Sequence, residues 1–144
     1  MARASDTARE IAKYHSGIPI KFIKELREIY LGEWQGKSKK ELGFTSKKGV
    51  DELFPKDGEG FEKLFDRASK FLHEILSKHQ SDTVLFVGHN GINKAIIAVI
   101  TGKKPEDINS IEKQHNTSIS IFEIDEDKNH KIHLFNCIKH LSTE

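Results

Sequence analysis

The chain has 144 residues, 36% of them hydrophobic and 31% charged, with a formal net charge of +1; this describes a single domain over residues 1–144 with enough apolar side chains to bury a core. The near-neutral balance argues against a nucleic-acid surface, which carries a strong basic excess, but leaves room for a small anion held by a few converging cations. One cysteine, Cys137, excludes an internal disulfide, and with no membrane-length apolar run and no apolar leader at the first residues, a cytoplasmic protein without a membrane partner is expected.

Ser5 is placed to cap a first helix running to about His15, with Ala4, Ala8, Ile11 and Ala12 on one face. Gly17 and Pro19 end it. Residues 20–23 then read as a short strand, followed by less regular chain through Trp34. Residues 37–58, rich in Lys, Gly and Asp, are expected to form short helical turns and loops. The clearest helix follows, because Phe61, Leu64, Phe65, Ala68, Phe71, Leu72, Ile75 and Leu76 recur at the spacing of one apolar stripe. Glu62, Lys63, Asp66 and Lys70 fill its other side, where Arg67 reads as a surface residue.

Residues 83–87 form an apolar run suited to a fully buried strand. Gly88-His89-Asn90-Gly91 turns the chain into a helix over residues 92–101 that is apolar on most sides. Gly102 stops it and Pro105 opens a further helical turn. Two strands, residues 117–124 and 132–138, flank a polar turn at 125–129. Strands alternating with helices predict an α/β protein of three layers, a mostly parallel sheet flanked by helices, with an antiparallel pair near its end.

In such sheets ligands bind beyond the carboxyl ends of the strands, where the Gly88 turn falls. A glycine-flanked turn at a helix N-terminus offers free N–H groups and the positive end of the helix dipole to an anion. His89 there can donate to an anionic oxygen or exchange a proton near neutral pH. The same residues would also serve if His89 merely ended the strand and the glycines merely made the turn. The other histidines, His15, His73, His79, His115, His130, His133 and His140, form no metal-ligand spacing with Cys or acidic partners, and no metal is expected.

Three other stretches accompany the turn: Arg3-Ala4 with Thr7-Ala8; Leu26-Arg27-Glu28 followed by Gly32-Glu33-Trp34-Gln35-Gly36; and Asn116-Thr117-Ser118-Ile119-Ser120. In this order and at these separations the four together resemble the histidine phosphatase superfamily, with its phosphoglycerate mutase-like fold, from Arg3 to the end of the last strand. The resemblance implies phosphomonoester hydrolysis through a phosphohistidine, no cofactor, and a small phosphorylated metabolite as partner. It implies that Arg3 binds phosphate with its two-pronged guanidinium. It implies that Glu28 is the acid that protonates the leaving oxygen, which requires a desolvated carboxyl. His89 then matches the second histidine, binding phosphate and stabilising charge on the transferring group. Asn90 gains no role from it. The plainer alternatives are a solvated terminal arginine for Arg3 and a surface salt bridge with Arg27 or Lys24 for Glu28. The family's mutases carry a long insertion after the glutamate, and residues 28–58 are short, which favours a phosphatase.

The family's Arg-His-Gly motif, carrying the attacking histidine and the other arginine, does not occur in the sequence. The resemblance therefore implies a fold with its first strand missing and a chain inactive alone for want of its nucleophile. In family folds that strand is central, beside the one ending at His89, so its loss bares an edge of unpaired backbone. A homodimer or rearranged pairing is expected to fill the gap, unless the sequence is a truncated reading of a longer gene. The leading expectation is an N-terminally truncated phosphatase. A pseudoenzyme or phospho-ligand binding module is the alternative, and a purely structural domain is a third.

Overall fold

The computed structural model describes residues 1–38, 40–42 and 55–142. Three α-helices, α1 (Ala2–Ala12), α2 (Gly60–Lys78) and α3 (Asn90–Ile100), precede two strands, β1 (Ile119–Ile124) and β2 (His130–Cys137). Short 3-10 segments lie at Lys24–Leu26, Gly32–Trp34, Pro105–Ser110 and Lys139–Leu141. The α/β class is as expected.

The core forms where the apolar periodicity places it. Helix α2 buries Leu64, Ala68, Phe71 and Leu72, while Glu62, Lys63, Asp66 and Lys70 stay exposed. Helix α3 buries Ile92, Ala95, Ile96, Ile97 and Ala98, a surface too wide for one neighbour. Accordingly α2 packs against it, and so does the 3-10 segment Pro105–Ser110, which with the next residue contributes the buried Ile108 and Ile111. Phe86 meets Phe71 edge to face at 5.0 Å, and Phe122 joins the cluster from β1.

Two expectations about elements change. Helix α1 begins at Ala2 rather than after Ser5, and ends at Ala12. The Ser5 hydroxyl donates back to the carbonyls of Met1 and Ala2, each at 3.1 Å, so it sits inside the first turn instead of capping it. The expected face of Ala4, Ala8, Ile11 and Ala12 is half-buried, and the Arg9 guanidinium lies 5.0 Å above the Phe22 ring.

The second change concerns the sheet. Among the described residues its hydrogen-bonded part is the antiparallel pair β1–β2, closed by a turn in which Asn129 N–H donates to Asp125 Oδ1 at 2.8 Å. Residues 20–23 and 83–87, expected as strands, form no ladder among the described residues. Nor is the second run fully buried, since Val84 is 39% and Leu85 64% exposed. Only one side of it, through Phe86, packs on the core, and an extended segment becomes a strand only when a neighbour supplies the other half of each hydrogen bond. Of the loops expected over residues 37–58, Lys37, Ser38, residues 40–42 and residues 55–58 are described, with Leu42 N–H donating to the Ser38 carbonyl at 3.1 Å; the rest lie outside the described residues. Among the described residues no helix is long and apolar enough to cross a membrane.

Leu64 and Ile92 are wholly buried on facing helices. Leu64→Ala or Ile92→Ala is expected to destabilise the chain by about 2–5 kcal/mol, read as a lowered urea midpoint, while Glu62→Ala stays within about 0.5 kcal/mol.

Candidate functional site

His89 sits immediately before α3 with extended backbone (φ −133°, ψ 165°), and its carbonyl accepts Asn93 N–H at 2.8 Å as the first bond of the helix. Its side chain is buried, at 9% exposure. The first turn of any helix leaves N–H groups without intrahelical partners. Here one of them is answered from far away in sequence: Gly91 N–H donates to Glu28 Oε1 at 2.9 Å. The same oxygen accepts Ile29 N–H at 3.0 Å. A Cβ at residue 91 would run into Glu28 Oε1 and stand 3.3 Å from Ile29 Cγ2, so glycine lets the carboxylate approach this closely.

The plainer alternative for Glu28 is not what forms. Arg27 instead donates from Nε to the Lys24 carbonyl at 3.1 Å, and the half-buried Glu28 turns inward to backbone N–H groups. Burial holds the His89 imidazole below the ordinary histidine value. The Glu28 carboxylate pulls it up, and the charges of Arg3 and the N-terminal ammonium push it down. All three residues singled out in the sequence therefore share one electrostatic neighbourhood. Arg3 reaches it from the first turn of α1, exposed, its guanidinium without a partner among the described residues.

Several supporting residues escape a reading of the sequence. Arg67, expected on the surface, is half-buried and makes a two-pronged pair with Glu59, Nε to Oε1 and Nη2 to Oε2, both at 2.7 Å. Burial pushes the Glu59 carboxyl up, but hydrogen bonds from Arg67 and from Tyr30 N–H, with the charges of Arg67 and Arg27, outweigh it and leave it below the usual carboxylate value. No local signal joins these residues, because the pair spans a loop-to-helix junction and its further partners are backbone groups.

Asn90 also acquires a role. Its Oδ1 accepts Gln114 N–H at 2.9 Å, tying the start of α3 to the segment before β1. That segment is held in turn by the buried Asn136. Its Oδ1 accepts His115 N–H at 2.8 Å, while Nδ2 donates to Glu112 Oε1 at 3.0 Å and to the Lys113 carbonyl at 3.1 Å. Trp34 is half-buried in its 3-10 segment. Chemically, the assembly offers a buried imidazole, a guanidinium without a partner among the described residues, helix N–H groups and a carboxyl group, which together can hold an oxyanion and move a proton.

Comparison with known proteins places the chain among relatives. The sequence model described as the histidine phosphatase superfamily (branch 1) matches residues 1–137. Phosphoglycerate mutase-like protein 4 of Arabidopsis thaliana is 27% identical over 150 residues, covering 98% of this chain and 63% of its own length. The metal-independent phosphoserine phosphatase of the same plant is 29% identical over 151 residues, covering 99% of this chain and 61% of its own. The chain thus spans less than two thirds of the length of either relative. Among solved structures, YhfR of Bacillus stearothermophilus superposes with a TM-score of 0.81 at 27% identity, over 97% of this chain and 72% of that one.

In an NMR titration, the His89 ring is expected to take its proton at a lower pH than a free histidine. Glu28→Gln removes the upward pull and lowers that pH further, whereas Arg3→Ala raises it. No change in Glu28→Gln would mean that the carboxylate does not face the ring. Gly91→Ala should displace Glu28 at an overpacking cost of about 1–3 kcal/mol, partly offset by alanine's better helix propensity of about 1 kcal/mol, with a net loss seen in urea denaturation.

Proposed function

The chain belongs to the histidine phosphatase superfamily (branch 1), and from that premise we propose that it forms the phosphate-holding part of a phosphomonoester hydrolase acting on a small phosphorylated metabolite in the cytoplasm. The observation that carries this reading is the Glu28 carboxylate held at the start of α3 by Gly91 N–H, beside a buried His89 whose charge state responds to both Glu28 and Arg3. In this reading the Arg3 guanidinium binds phosphoryl oxygens, and His89 donates a hydrogen bond as negative charge gathers on the transferring group. Glu28, once it has taken up a proton from solvent beside the bound phosphate, hands it to the ester oxygen as the P–O bond breaks, so the alcohol leaves neutral. The attacking histidine would be that of an Arg-His-Gly segment, which these 144 residues do not contain; the phosphohistidine then belongs to the full-length form, and this chain alone is inactive. The relative named a metal-independent phosphoserine phosphatase and the shortness of residues 28–58 favour hydrolysis over mutase chemistry.

A second reading is a pseudoenzyme or phospho-ligand binding module. It is favoured by the assembly of Arg3, Glu28 and His89 in one neighbourhood without a nucleophile. In either reading the unladdered residues 20–23 and 83–87 leave backbone groups for a second copy to pair with, giving a homodimer of the isolated chain.

Isothermal titration of the 144-residue chain with orthovanadate is expected to show binding, weakened roughly 10–100-fold by Arg3→Ala or His89→Ala, as for loss of a charge-assisted hydrogen bond. A gene product extended upstream through an in-frame Arg-His-Gly is expected to hydrolyse p-nitrophenyl phosphate. Vanadate binding with no hydrolysis by the extended product would favour the binding module, and absence of both would overturn both readings.

A further inference from the structure

We propose that Arg67 is the positioning residue for the Glu28 carboxyl, bracing from α2 the backbone on which Glu28 stands. The inference rests on the reading of Glu28 as the proton donor. A guanidinium offers five N–H donors in a rigid fork, and Arg67 uses the fork on both sides of residue 28. Nη1 donates to the Glu25 carbonyl at 2.5 Å and to the Arg27 carbonyl at 2.9 Å. Nε and Nη2 fix the Glu59 carboxylate, whose Oε2 accepts Tyr30 N–H at 3.2 Å. Glu59 N–H in turn donates to the Tyr30 carbonyl at 2.8 Å.

The backbone is therefore pinned at residues 25, 27 and 30, and Glu28 lies between the pins. Among the described residues the Glu28 carboxylate accepts two hydrogen bonds, from Ile29 N–H and Gly91 N–H, so its place also depends on the strap of residues 24–31 from which it extends. Arg67 and Glu59 are each mostly buried, with side chains 17% and 15% exposed, so the pair is shielded from the solvent screening that weakens surface ion pairs. Arg67 does not touch Glu28. It acts through the backbone, and a lysine, with a single ammonium on a flexible stem, could not reach both carbonyls and both carboxylate oxygens in the same arrangement.

The Gly91 amide reports on this brace directly. In Arg67→Lys, hydrogen exchange at Gly91 N–H is expected to quicken roughly tenfold, the loss of one net hydrogen bond, while amides deep in α3 such as Ile96 keep their protection. In the nitrogen–proton correlation spectrum the Gly91 peak should move toward its position in Glu28→Ala. Glu59→Gln should do the same, and serves if Arg67→Lys folds poorly. Orthovanadate affinity is the second readout: Arg67→Lys should shift it in the wild type and leave it unshifted in a Glu28→Ala background, because a residue acting only through Glu28 has nothing left to position. An unmoved Gly91 in a folded variant, or an equal shift in the Glu28→Ala background, would overturn the brace. Absence of vanadate binding in the wild type with the Gly91 response intact would instead count against the phosphate-site reading and leave the brace standing.

Discussion

The hydrogen bond from Gly91 N–H to Glu28 Oε1 joins residues 63 apart, and both ends of it inherit their positions from packing beneath them. The helix end is set by α3, whose buried isoleucines and alanines are gripped by α2 and by the 3-10 segment after it. The carboxylate end is set by a strap that has little apolar anchorage of its own beyond Ile23, Leu26 and Ile29 and relies on polar clamps from α2. One bond thus registers the apolar core against the polar strap. It also means that any side chain at residue 91 must displace the Glu28 carboxylate or its neighbour Ile29.

The same arrangement explains how a chain with almost no net charge can still favour an anion locally. Arg3 and the partial positive end of α3 converge on the neighbourhood of His89, opposed among the described residues by Glu28. Surface charges elsewhere cancel in short-range pairs such as Arg9 with Asp6 and Lys13 with Glu10. Those pairs are exposed and contribute little to stability. They do keep the field of the rest of the helix close to neutral, so Arg3, without an ion pair among the described residues, dominates its end of α1.

What could be read from the sequence follows the range of the forces involved. Helix α2 declares itself through a repeat whose partners lie within a turn of one another, and the hairpin through Asp125 and Asn129, which bond each other. Arg3, Glu28 and His89 were accessible only as a set of motifs in order, and the structure brings that set into one electrostatic neighbourhood. Residues 20–23 and 83–87 have the composition of strands, but composition cannot tell whether a neighbouring strand is at hand. Arg67 was misread because its polar side faces carbonyl oxygens, which have no signature in side-chain pattern. The start of α1 was misplaced because a serine that can cap a helix can equally bond back into its own turn.

Asn136 carries a consequence for how such a chain can vary. It sits in left-handed backbone (φ 48°) where the pairing of β1 with β2 slips register, and its side chain makes three hydrogen bonds to residues 112–115. Through Gln114 and Asn90 that irregularity is coupled to the first turn of α3. Length changes at the hairpin tip, residues 125–129, would stay local to solvent, whereas one residue gained or lost between 112 and 116 would be transmitted to the helix start. The chain is therefore plastic at one end of its hairpin and inflexible at the other, and new specificities are more readily grafted at the tip than at the base.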